Sequence, residues 1–171
     1  MTRDDLVAAS KHLVYEIEML FGTARELRTS HSEFVTNALV ESFTIHGRVL
    51  YSFFFGCRRF DDDILASDYV QNWENTRPDP MPPALKELDW RVGKEIAHLT
   101  SKRLSITEAD KQWDCEALVE EYRHVLSTFL NSLSDANATA ELLRLKTTLT
   151  SPEYASVRVL RTYRPAYTGA G

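Results

Sequence analysis

Cysteine is scarce in this 171-residue chain: Cys57 and Cys115 stand alone and far apart, with no Cys-x-x-Cys pair and no Cys/His cluster. That excludes a disulfide framework and a zinc finger, leads to the expectation that no metal is held, and fits a reducing cytoplasm. Glycine and proline number only six each, too few for a collagen-like or low-complexity chain. No apolar run approaches the roughly 18 residues needed to cross a bilayer. The opening Met1-Thr-Arg-Asp-Asp5 puts acids where a signal peptide has a basic region. The expectation is a cytoplasmic protein with no membrane partner. An excess of positive charge is missing too. Twenty basic against 25 acidic side chains give a net charge of -5, so any contact with phosphate must be local.

What the chain does have is hydrophobic content, 43%, arranged at helical rather than strand spacing. Leu6, Leu13, Ile17, Leu20, Phe21, Ala24 and Leu27 form one stripe, which predicts a helix over about 3–28 with Thr2 as N-cap. A second helix over about 32–55 gathers Val35, Ala38, Leu39, Ile45, Val49, Leu50 and Phe53 on one arc and ends at Gly56. Tyr51 and Phe54 fall outside that arc, which calls for a cover from a loop, the last helix or a second subunit. Arg58-Arg-Phe-Asp-Asp-Asp63 reads as a loop whose aspartates open a short helix over about 63–74; the alternative, a metal cluster, suffers because consecutive aspartates cannot all face one ion. The prolines of Arg77-Pro-Asp-Pro-Met-Pro-Pro83 make a second loop.

A third main helix is expected from Pro83 to about Thr100, and a fourth over about 108–133, opened by Thr107-Glu-Ala-Asp110. Cys115, Leu118, Val119, Tyr122, Val125, Leu126, Phe129, Leu130 and Leu133 mark the fourth helix's core side, and a last helix covers about 138–149. The fold class expected is all-α, a four-to-five-helix bundle in a single domain over 1–150. The tail, 151–171, is basic, with Arg158, Arg161 and Arg164 among Tyr154, Tyr163 and Tyr167. It reads as a flexible segment able to reach RNA or a protein.

The chemically informative stretch runs from Asp89 to Arg103. Leu85, Leu88, Val92, Ile96 and Leu99 define a core arc, and Arg91, Lys94, Glu95, His98 and Lys102 form a stripe beside it. Seven residues apart, Arg91 and His98 share an azimuth on a continuous helix, about 10 Å apart. Cations around an imidazole suit a phosphate. The plainer account is a solvated face on which Arg91 and Glu95 form an i,i+4 pair. His46, on the second helix's apolar arc, must have a hydrogen-bond partner; it is either a satisfied core histidine or an orienting group for the site.

Arg91-x6-His98 on a late helix of a bundle resembles the motif of the HEPN (higher eukaryotes and prokaryotes nucleotide-binding) superfamily, an Arg-x4-6-His; Val92 stands where the common pattern has a polar residue. The resemblance spans about 1–134 in architecture. It implies a metal-independent endoribonuclease without cofactor, working as a homodimer with two motifs facing one cleft. Its functions include toxins and defence proteins held by a regulatory partner, and members that only bind. By that resemblance Arg91 would hold the scissile phosphate and His98 exchange protons with the 2′-hydroxyl or leaving oxygen. Lys94, Lys102 and Arg103 are candidate backbone-phosphate contacts, and Glu95 and His46 supporting residues.

Two other readings compete. One is a catalytically inert module whose bundle faces bind protein. The other is a ferritin-like di-iron protein, from Glu95-x-x-His98 and Glu121-x-x-His124 with Glu16, Glu18 and Glu41. Helical geometry opposes the last, since it turns Glu121 about 110° and His124 about 170° from the core arc.

Overall fold

The computed structural model describes residues 2–107 and 112–149, apart from the Lys102 side chain, and so leaves out the basic tail and residues 108–110 of the expected capping box. The fold is all-α. Helix α1 (Arg3–Glu26) turns back into α2 (Glu33–Phe55); single-turn helices α3 (Ala66–Tyr69) and α4 (Trp73–Thr76) form a crossover; α5 (Pro83–Arg91), α6 (Cys115–Ser132) and α7 (Ala140–Leu149) complete the bundle. Helix α1 packs against α2, α6 and α7, while α5 bridges α2 and α6.

Local chemistry accounts for the helix starts. Thr2 Oγ1 accepts from the Asp5 amide at 3.2 Å and the Asp5 carboxylate accepts from the Thr2 amide at 2.8 Å, a reciprocal cap. Those bonds to Thr2 hold the Asp5 carboxyl below its ordinary range. Pro83 opens α5, where a missing N–H costs nothing. Helix α6 begins at Cys115, later than its periodicity suggests, because the Asp114 side chain caps the Ala117 amide at 2.9 Å.

All seven apolar residues of the α1 stripe are buried, as is the expected α6 face from Cys115 to Leu130. Helix α2 is different. Its core side is Val40, Phe43, Thr44, Gly47, Leu50 and Phe53 to Phe55, whereas Val35, Ala38, Ile45 and Val49 are exposed. The helix is apolar on two sides, so counting hydrophobic residues does not locate its core centre. Close approach does. A Cβ on Gly47 would lie 3.0 Å from Leu88 Cδ2, and the Gly47 carbonyl accepts the Tyr122 hydroxyl. A small residue marks the crossing point of α2, α5 and α6.

The crossover covers Phe54, and a two-turn break replaces the single helix expected over 63–74. Phe129 of α6 is ringed edge-on by Phe53, Phe54, Tyr69 and Trp73 at 5.5 to 5.9 Å. Both polar tips in this cluster are satisfied, with Trp73 Nε1 donating to the Phe54 carbonyl at 2.7 Å and Tyr69 Oη to that of Leu6 at 2.9 Å. Asn137 Nδ2 in turn donates to the Tyr69 carbonyl at 2.8 Å. Asp63 does not open a helix. Its carboxylate accepts the amides of Arg59 and Phe60 at 2.7 and 2.9 Å, and those bonds lower its pKa.

Candidate functional site

The stretch carrying Arg91 and His98 is not one helix. After Arg91 the backbone widens into a π-turn, Val92–Ile96, closed by the Ala97 amide on the Val92 carbonyl at 2.8 Å. A separate 3-10 turn follows at Ser101–Ser105. Side chains capture the carbonyls that a continuing helix would use: Thr100 Oγ1 donates to Lys94 O at 2.8 Å and Arg103 Nη2 to Ile96 O at 2.9 Å. Gly93 adds low helix propensity at the same place. The continuous register that would set Arg91 and His98 on one azimuth is therefore interrupted. Leu85, Leu88 and Val92 are buried as expected, but Leu99 lies beyond the break and is exposed.

Arg91 is deeply committed. Its side chain is only 11% exposed, and that of Glu95 13%. Nε donates to Glu95 Oε1 at 3.1 Å, Nη2 to Glu95 Oε2 at 3.1 Å, and Nη1 to the Gln112 carbonyl at 2.9 Å, with Glu87 3.7 Å from Nη1. The guanidinium sits over the buried Trp113 ring, its carbon 3.9 Å from the ring centroid. The i,i+4 pair expected as the plainer account is present, strengthened to a forked one. Trp113 and the Gln112 carbonyl carried no local sequence signal, because they lie 21 or more residues along the chain and meet Arg91 only in the folded structure.

The other candidates are dispersed. His98 and Lys94 are exposed, Arg103 caps Ile96, and the Lys102 side chain lies outside the described residues. His46 is only half-buried, with the partner its position demanded: Nδ1 lies 2.7 Å from Glu16 Oε2, and Tyr15 meets the ring edge-on at 5.7 Å. His46 thus ties α2 to α1. Among the described residues no group of three or more His, Cys, Asp or Glu could hold a metal ion; Glu121 is half-buried and His124 exposed. No helix among them is long and apolar enough to cross a membrane.

A cleft of about 570 Å³ opens beside α2, lined by His12 and Glu16 of α1, Arg48 and Val49 of α2, and Phe60 and Asp63 of the following loop. Three of its charged groups already have partners: Glu16 with His46, Arg48 Nε with Asp89 Oδ1 at 3.2 Å, and Asp63 with two amides. Cys57 lines the same cleft, exposed; Cys115 is buried, and burial pushes its thiol up to about 12. No family model, no curated protein and no solved structure matches the chain.

Proposed function

We propose that this chain is a helical protein-interaction module without ribonuclease chemistry of its own. The commitment of Arg91 carries this reading. A guanidinium forked onto Glu95, donating to the Gln112 carbonyl and set over an indole face has most of its donors engaged, and giving up the Glu95 pair to grip a phosphate would leave a half-buried carboxylate unpaired. Arg91 then works as a clamp between α5 and the segment before α6. The test is incubation of the purified chain with varied RNAs in EDTA. The expected result is intact RNA with a folded protein. Cleavage that disappears in both His98→Ala and Arg91→Ala, with folding retained, overturns the proposal.

A second reading is the HEPN-like one, in which the chain binds or cuts RNA as a homodimer, in a toxin or defence setting under a regulatory partner. The exposure of His98 together with Lys94 favours it, since an imidazole and an ammonium at a broken helix end are open to a phosphate backbone. RNA binding that weakens steeply with salt and is reduced by Lys94→Ala supports this second reading over the first.

A further inference from the structure

Helix α2 buries one apolar face and shows another. Val35, Ala38, Ser42, Ile45, Val49 and Ser52 recur at alternating spacings of three and four, the a/d pattern of a helix-pairing seam. Val35, Ile45 and Val49 are 40, 38 and 45% exposed, Ala38 and Ser52 are exposed, and Ser42 is half-buried. The seam runs between α1, held at one side by the His46–Glu16 contact, and α5, held at the other by Arg48–Asp89.

The residues on this seam complement themselves. In an antiparallel pairing that sets Ser42 opposite Ile45 of a second copy, Val49 meets Ala38 and Val35 meets Ser52, so every large side chain faces a small one across the two-fold axis. The flanking positions on the α5 side agree in charge. In the same register Glu41, which is exposed, comes opposite Arg48, twice by symmetry. The five N–H donors of Arg48 let it serve a second carboxylate besides Asp89. A parallel pairing would instead set Ile45 against Ile45 and Ser42 against Ser42, and would turn Glu41 toward His46 rather than Arg48. Building on the interaction-module reading, we propose that the partner is a second copy of this chain, docked antiparallel along the α2 seam.

Sedimentation equilibrium and paired cysteines test this. With Cys57→Ser as background, Ala38→Cys and Val49→Cys preparations, mixed and oxidised, should give a disulfide-linked dimer, while each alone should not. Ile45→Glu, which puts two unpaired charges into the seam, should weaken the dimer about 100-fold or more with helicity unchanged. A wild-type monomer at tens of micromolar, which would leave the seam to another helix, overturns the proposal, as does a dimer indifferent to Ile45→Glu, or Ala38→Cys crosslinking to itself. The RNA assay on the same preparations separates the two claims. A monomer that leaves RNA intact removes only the self-pairing, whereas an Arg91- and His98-dependent nuclease removes the interaction-module reading whatever its oligomeric state.

Discussion

The guanidinium carbon of Arg91 stands 3.9 Å from the centre of the Trp113 ring, with the Glu95 carboxylate forked onto two of its nitrogens. The last residue of α5 is thereby fixed to the connection leading into α6, and one side chain joins three chain segments.

Arg91→Ala should lower stability in urea unfolding by about 2–4 kcal/mol, because it leaves Glu95 half-buried without its partner and uncovers Trp113. Arg91→Lys should recover little, since an ammonium neither forks onto a carboxylate nor stacks on an indole. Pairing Arg91→Met with Glu95→Leu should regain most of the loss. A cost below about 0.5 kcal/mol for Arg91→Ala would reduce the cluster to an ordinary surface ion pair.

Two glycines should respond in opposite directions. Gly22, in α1, has open space where a Cβ would go, so Gly22→Ala should stabilise by about 0.5–1 kcal/mol through helix propensity. At Gly47 the added methyl meets Leu88 at 3.0 Å, with Leu20 and Tyr122 behind it at 3.6 Å, and Gly47→Ala should cost about 1–3 kcal/mol despite the same propensity gain. Thermal unfolding of the two variants beside wild type reads both signs.

The two thiols should separate cleanly in a labelling experiment at pH 8. Exposed Cys57 reacts in the native protein, whereas Cys115 reacts only after denaturant is added. The raised Cys115 pKa also sets a direction with pH. Its folded value, about 12, lies above the ordinary 9.0, so the neutral thiol's contribution is complete below pH 9 and is lost as pH climbs toward 12. In Cys115→Ala that alkaline loss should be shallower in pH-dependent urea unfolding, against a lower starting stability from the cavity.

Helix α1 was legible because only one of its faces is apolar and Thr2 with Asp5 announces its start; the α6 face was legible for the same reason. Helix α2 was not, since an apolar seam outside competes with an apolar face inside, and only the contact at Gly47 tells them apart. The proposed site misled in a different way. Arg91 and His98 keep motif spacing in the sequence, but helical phase survives only while backbone carbonyls stay with backbone amides, and Thr100 and Arg103 take two of them away. Trp113 could not have been assigned to Arg91 by any local rule. The pair is made by a tertiary contact between the end of α5 and the residues just before α6.

Tyr69 gives the crossover a reach out of proportion to its single helical turn. Its hydroxyl is tied to Leu6, near the start of the chain, and its carbonyl to Asn137, just before the last helix. Each bond closes a loop of more than sixty residues, so an ordered crossover requires both α1 and the segment before α7 to be in place. One residue thus touches both α1 and the α6–α7 corner, and amide exchange at these two places should rise and fall together.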